Sequence, residues 1–230
     1  MTPTIERPTP GGAAYIDLFA GPGRARIRGT GEIVDGSPLI AAAHARAPFT
    51  KLVFCDLDAE NVAALTARTA AFGDRVKIIP GDCTGTINQV VGEVPPHGLN
   101  FALVDPFGPK MLRWDMLARL GEVKRMDLLI HFPTGSIKRN FDTLDFDAMV
   151  GTSDWRADVR NPHEVPNLVD HLRRSLERIG YTGKAVRSMP IKNTKEGVLY
   201  HLVFATKDPL GDKIWSSIVQ TNARGQRSLF

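Results

Sequence analysis

Ala14-Tyr15-Ile16-Asp17-Leu18-Phe19-Ala20-Gly21-Pro22-Gly23 is an apolar run closed by a glycine-proline-glycine turn. It reads as a buried strand over 14–20 that ends abruptly, with backbone left free to bend beyond it. A loop rich in glycine and arginine follows, and then Gly36-Ser37-Pro38-Leu39-Ile40. Ser37 suits a helix cap, and Pro38 suits a first helical turn, where a missing N–H costs nothing. This helix is expected to reach about residue 45.

Working outward, the same alternation recurs. Residues 51–56, 76–79, 100–105 and 127–132 are short apolar strands, and helical stretches over 59–71, 84–91 and 111–120 lie between them. Continuous apolar strands separated by helices predict a parallel sheet covered on both faces. The last third differs. An amphipathic helix within 162–179 carries Leu168, Leu172, Leu176 and Ile179 on one stripe. Strands over 183–189 and 198–205 follow, joined by the polar loop 192–197, which is too short for anything except an antiparallel pair. A closing helix is expected over 210–220. With no internal repeat and no low-complexity linker, the chain reads as an N-terminal arm (1–13) and a single domain (14–230). The fold class is α/β and Rossmann-like: a mostly parallel seven-stranded sheet, helices on both faces and a C-terminal antiparallel strand.

Composition narrows the setting. Of the 230 residues, 43% are hydrophobic and 23% charged, enough for a buried core. No apolar run approaches the roughly 20 residues that span a bilayer, and the polar, proline-rich stretch 1–10 lacks the marks of a leader. Membrane association is not expected. Cys55 and Cys83 make no disulfide framework and have no partners at metal-site spacing, so a reducing cytoplasm and no metal are expected. A net charge of +4 leans mildly toward a polyanionic partner.

Ligands of open parallel sheets bind beyond the carboxyl ends of the strands. There the first four strands present Asp17, Asp56, Asp82 and Asp105. One such carboxylate is an ordinary turn residue; four in register suit one cofactor. A turn of Gly21, Pro22 and Gly23 lets the backbone approach a ligand, and its free N–H groups suit a carboxylate. Asp56, with Leu57 beside it, suits both hydroxyls of a ribose. Asp82, next to Cys83, suits the exocyclic amine of adenine, and Phe19 and Phe107 suit a sulfonium. Those parts compose S-adenosylmethionine. A dinucleotide fingerprint fails, because its third glycine falls on Arg26 and Asp56 lies 33 residues beyond Gly23, against roughly 20.

Tyr15 to Arg24, Gly36 to Ala41, Asp56-Leu57-Asp58, Gly81-Asp82-Cys83, Asp105-Pro106-Phe107-Gly108 and Phe204 to Gly211 together resemble the three-Cys-motif partner proteins (TcmP), over nearly the whole chain. That resemblance implies the class I methyltransferase fold and its cofactor. At greater distance the chain is similar to bacterial ribosomal-RNA adenine-N6 methyltransferases. Carried over, the likeness implies that Asp17, Gly21, Gly23, Ser37, Asp56 and Asp82 line the cofactor and that Asp105 holds the acceptor amine. Those enzymes carry Asp-Pro-Pro-Tyr where this chain has Asp105-Pro106-Phe107-Gly108; a similar Asp-Pro-Phe-Gly occurs in tRNA guanine-N2 dimethyltransferases.

The expected reaction is methyl transfer to an amino nitrogen of a nucleobase in RNA or DNA. Asp105 and the Pro106 carbonyl would accept from the acceptor, Phe107 would stack on the base, and Arg24, Arg26, Lys138 and Arg139 would contact phosphates. Alternatives are a small-molecule or peptide acceptor, or a non-catalytic subunit supporting a protein partner. His131 reads as a partly buried, hydrogen-bonded histidine, and Trp114, Trp155 and Trp215 read as packing anchors.

Overall fold

A computed structural model of the chain describes residues 11–45, 48–181, 186–208, 211, 213, 215 and 216. In chain order the elements are β1 (Ala13–Asp17), β2 (Arg24–Arg26), β3 (Ile33–Asp35), α1 (Ser37–Ala43), β4 (Lys51–Asp56), α2 (Ala59–Thr69), β5 (Val76–Pro80) and α3 (Cys83–Gly92). They continue with β6 (Leu99–Val104), α4 (Trp114–Gly121), β7 (Met126–Phe132), α5 (Thr134–Arg139), α6 (Phe146–Val150), α7 (Asn167–Arg178), β8 (Val186–Lys192) and β9 (Val198–Ala205). Seven strands form one sheet in the order β5-β4-β1-β6-β7-β9-β8. Neighbours from β5 to β7 are parallel, while β9 runs antiparallel to both β7 and β8. Strand order reverses between β1 and β6.

The expected strands are present with shifts of a residue or two at their ends, apart from the first, which ends at Asp17 rather than at 20, and β8, which ends at Lys192 rather than at 189 and whose expected start at 183 lies outside the described residues. The expected arm overlaps β1 by one residue at Ala13, and residues 1–10 lie outside those described. Of the expected closing helix, 211, 213, 215 and 216 are described and are helical, and the remainder lies outside them. The loop after β1 is more ordered than expected: β2 and β3 pair as an antiparallel hairpin, Arg24 opposite Asp35.

Helix starts follow local chemistry. Asp58 caps α2 by accepting from the Glu60 and Asn61 amides at 2.7 and 3.2 Å, and Asp82 caps α3 by accepting from Thr84 N at 3.1 Å. Ser37 does not cap α1 as expected. Gly36 holds that position, and the Ser37 hydroxyl donates instead to Asp17, 2.6 Å away. A charge-assisted bond to a buried carboxylate outcompetes a neutral one to a backbone amide.

One face of the sheet carries the larger core. Ile16, Val53, Ala102, Val104, Leu128 and Ile130 pack there, fully buried, with Leu117 and Leu120 of α4 and Leu168, Leu172 and Leu176 of α7. Each deletion to alanine in such a setting costs about 2–5 kcal/mol. The other face is covered mainly over β4 and β1, where Tyr15, Leu52, Phe54 and Leu65 form a second cluster with Ala41 and Ala42 of α1. Coverage is therefore not equal on the two faces: Phe101, Leu103 and Leu129 stay half-buried. Trp114 and Trp155 pack against the main core, and Trp215 stacks on Phe204 at 5.1 Å. Among the described residues no helix is long and apolar enough to cross a membrane, and no group of three or more His, Cys, Asp or Glu is placed to hold a metal ion.

Candidate active site

β1 ends in a fully buried carboxylate. Asp17 accepts from the Ser37 hydroxyl at 2.6 Å, the Tyr15 hydroxyl at 3.3 Å and the Phe19 amide at 3.3 Å. Burial pushes its carboxyl up to about 6, although the bonds from Ser37 and Phe19 oppose that rise and Asp105 nearby adds to it. Burial and the Asp17 charge push the Tyr15 hydroxyl up as well. So enclosed, Asp17 sets the path of the loop 18–23 and fastens it to the start of α1.

That loop then crosses to β4. The Gly21 amide donates to Asp56 Oδ2 at 2.7 Å. The expected free amide is therefore spent within the fold: it braces a carboxylate that lines the cleft. Gly23, at φ +79°, lies where a Cβ would come 2.9 Å from the Leu65 side chain, so the turn packs tightly on α2. Arg68 of α2 donates to the Pro22 carbonyl.

Asp56 Oδ1 accepts from the Asp58 amide at 2.9 Å and from Asn61 Nδ2 at 3.1 Å. A carboxylate offers about four acceptor positions, so these bonds together with Gly21 leave about one for a ligand. The expected pair of ribose hydroxyls cannot both rest on Asp56. Two further polar side chains, Asp58 and Asn61, line the same cleft. In the sequence Asn61 is an ordinary polar residue one turn into a helix. Its only early signal was its spacing from Asp58.

The cleft encloses about 390 Å³ and is lined by Asp56, Asp58, Asn61, Asp82, Phe107 and Met111, with Leu18, Phe19, Leu57, Gly81 and Cys83 completing it. Phe19, Asp56, Leu57, Asp82, Cys83 and Phe107 of the expected set thus meet in one cavity, of the size that holds small ligands. Leu57 and Phe107 are 66% and 76% exposed, apolar faces with nothing packed over most of their surface. Cys83 is otherwise a core residue: its Sγ meets Met116 Sδ at 3.4 Å, and burial pushes its thiol up to about 12.

Across the point of reversal, parallel pairing of Val104 with Ile130 sets the next residues, Asp105 and His131, side by side. His131 Nδ1 lies 3.0 Å from Asp105 Oδ1. That nitrogen is buried and out of line for a hydrogen bond, so the expected hydrogen-bonded histidine instead sets an unsatisfied ring nitrogen beside the carboxylate. Tyr200 of β9 packs edge-on against the ring, with centroids 4.3 Å apart. Pro106 is buried, while Asp105 and Phe107 are exposed. Next to this group His201 Nδ1 meets Thr134 Oγ1 at 2.6 Å, and burial, aided by the Lys138 charge, pushes the His201 imidazole down.

The expected basic contacts divide. Arg24 is committed to Asp35 at 3.0 Å and braces the hairpin. Arg26 and Arg139 are exposed and Lys138 is half-buried. None of the four lines the cleft.

No family model matches the chain, and no curated protein matches it. Solved structures do. Over 86% of this chain and 75% of the other, it superposes on an O-methyltransferase from Bacillus cereus in complex with SAH, with 12% identity and a TM-score of 0.52. The O-methyltransferase TomG from Streptomyces achromogenes, involved in tomaymycin synthesis and in complex with SAM, matches over 85% and 73% with 13% identity and a TM-score of 0.48. At these identities the likeness is one of fold: the chain has the Rossmann-like class I methyltransferase fold.

Proposed function

We propose that the chain binds S-adenosylmethionine in the cleft at the β1–β6 reversal and transfers its methyl group, preferentially to an amino nitrogen of a nucleobase. The observation that carries this reading is the single cavity running from Asp56, Asp58, Asn61 and Asp82 to Phe107 and Met111, on a fold shared with an SAH-bound methyltransferase. The donor set fits that cofactor. Asp56, Asp58 and Asn61 would hold the ribose hydroxyls, Asp82 and Cys83 would border the adenine, and Phe19, Phe107 and Met111 would offer apolar and π surfaces to the sulfonium. Asp17, Ser37, Gly21, Pro22 and Gly23 keep the loop in shape. The bound cofactor supplies a methyl group on a positively charged sulfur. The resemblance to TcmP proteins belongs to this reading, resting on sequence motifs alone.

On the acceptor side the chain's own groups do the positioning. Asp105, which among the described residues has His131 as its one ion-pair neighbour, accepts from the acceptor N–H, and the Pro106 carbonyl is a second acceptor for it. Phe107 stacks on a planar base, which must be single-stranded or flipped to reach it. His131 takes up the proton released as the new bond forms, and Asp105 orients its ring. The same pair suits a hydroxyl acceptor on a small molecule. That second reading is favoured by the His131–Asp105 juxtaposition, and the Bacillus cereus neighbour is itself named an O-methyltransferase.

Calorimetric titration with S-adenosylmethionine and with its demethylated product tests the cofactor. Saturable binding that Asp56→Ala abolishes is the expected result, and no binding of either compound overturns the reading. Transfer of labelled methyl to total RNA, and not to phenolic or catecholic small molecules, then supports the nucleobase acceptor. The reverse pattern selects the hydroxyl reading, and full turnover in Asp105→Ala removes Asp105 from either.

A further inference from the structure

Basic side chains in this protein are mostly spoken for, and the exceptions are not scattered. Lys51 and Lys77 pair with Glu93, Arg119 with Glu122, Arg156 with Asp147, Arg173 with Glu177 and Arg178 with Asp154. Among the described residues, Arg26, Arg28, Lys110, Lys138, Arg139 and Lys195 meet neither a hydrogen-bond acceptor nor an ion-pair partner. All six lie at the carboxyl edge of the parallel strands. Arg26 and Arg28 are on the connection leaving β1, Lys110 on the one leaving β6, Lys138 and Arg139 on α5 directly after β7, and Lys195 on the turn from β8 to β9. Elsewhere among the described residues only Lys124 and Lys213 are equally unengaged, and both sit toward the opposite edge.

The strand order arranges these cations in sequence. From β1 to β8 the sheet runs β1-β6-β7-β9-β8, four steps of about 4.8 Å or roughly 19 Å, and each βα connection on the way contributes at least one. The other half, β5 and β4, contributes none of the six and carries Asp56, Asp58 and Asp82. Of the acids on the cationic half, Asp35 is paired with Arg24 and Glu196 with Lys192, while Glu32 and Asp142 stay exposed. Between the cations stand exposed apolar surfaces: Phe107 at 76%, Ile33 at 59% and Leu199 at 45%. A row of uncommitted cations interleaved with an exposed aromatic is the footprint of a single-stranded polyanion with planar bases.

We propose that the carboxyl edge from β1 to β8 is a track for single-stranded nucleic acid, with Arg26, Arg28, Lys110, Lys138, Arg139 and Lys195 on its phosphates and Phe107 stacking the base that enters the site. This rests on the nucleobase reading above and adds the form of the substrate and its path. A duplex is the wrong shape for it, because the stacking surface is reached only by an unpaired base.

The probe is a fluorescein-labelled oligouridylate on the order of a dozen nucleotides, titrated with the full chain at several salt concentrations and followed by anisotropy. The expected result is binding that weakens with salt and exceeds that of the matching duplex. Replacing Arg26 and Arg28 together, or Lys138 and Arg139 together, by alanine is expected to flatten the log–log salt slope by about 1.4, two single-strand contacts at about 0.7 each. Phe107→Ala is expected to weaken binding with the slope unchanged. Lys124→Ala with Lys213→Ala is the control and leaves both unaltered. Absence of binding, equal binding of the duplex, or an equal loss in the control overturns the track. An oligodeoxyuridylate of the same length decides between RNA and DNA. Calorimetry with S-adenosylmethionine on the same preparation separates the two readings: a chain that binds the oligonucleotide and not the cofactor keeps the track and loses methyl transfer.

Discussion

Replacing Asp17 by asparagine is expected to make the protein more stable at alkaline pH and to change its stability little in acid. The carboxyl is fully buried and rises from 3.8 to about 6 on folding, mainly through burial. A carboxyl raised in this way binds its proton more tightly in the folded chain. Its contribution to stability is therefore complete below 3.8 and is lost as pH climbs through about 6. At 1.36 kcal/mol per pH unit, the full cost of ionising it inside the fold is ~3 kcal/mol. Over the accessible range from about pH 5 to about pH 8, the stability of Asp17→Asn relative to the parent should grow by ~1.4 kcal/mol. Asparagine keeps an oxygen for the Phe19 amide, and the Ser37 and Tyr15 hydroxyls can turn to accept from its NH₂. Urea unfolding followed by tryptophan fluorescence at the two pH values measures the difference. A gap that stays constant, or that narrows as pH rises, would refute the argument that this carboxylate is stored in the fold at a cost.

Three further outcomes follow from neighbouring features. Ser37→Ala removes the shortest donor to Asp17, so the ionised form loses about 1.5–3 kcal/mol of support; the carboxyl rises further, and the decline in stability with pH should run deeper and extend to higher pH, read by the same titration. Gly151→Ala should cost ~3 kcal/mol in thermal or urea unfolding: a Cβ there would sit 2.3 Å from the Trp114 ring at φ +72°, and an unchanged midpoint would contradict the packing described. Cys83 and Cys55 are buried with their thiols pushed up, Cys83 to about 12, so iodoacetamide near neutral pH should label them only after unfolding. Prompt labelling of the native chain would count against it.

The order of strands was legible because the parallel strands are short apolar runs, four of the five stopped by an aspartate or a glycine and β7 by Pro133. Full cover on one face and at least partial cover on the other keep both sets of side chains mostly apolar, and the turn leaves its mark in Gly21-Pro22-Gly23 or Gly81-Asp82. The β2–β3 hairpin was not legible. Three residues such as Arg24-Ala25-Arg26 are too few to show a period, and both strands are largely exposed. At the site, Asp56 and Asp82 stood out as strand-end acids, whereas the bonds that occupy most of the Asp56 carboxylate did not. That Gly21 and Asn61 spend the Asp56 carboxylate is a fact of contacts 35 and 5 residues apart. Ser37 was placed on a helix terminus and given the wrong partner, since Asp17 is 20 residues away and becomes a neighbour only when β1 and α1 pack. The His131–Asp105 pair depends on the β6–β7 register, which a single sequence does not contain.

The reversal of strand order between β1 and β6 also bears on how such a protein can change over time. The polar residues proposed above to hold the cofactor sit on the units leaving β4 and β5, and those proposed to meet the acceptor sit on the units leaving β6, β7 and β8. The two sets belong to separate lengths of chain, each docked on a shared sheet. An insertion or a new charge in 105–113, 133–145 or 193–197 can alter what is modified without touching Asp56 or Asp82. Only the loop 18–23, tied at once to Asp17, Asp56 and Leu65, has no such freedom. Divergence should therefore accumulate on one side of that reversal and be rare across the loop beside it, which makes the acceptor the replaceable part of this architecture.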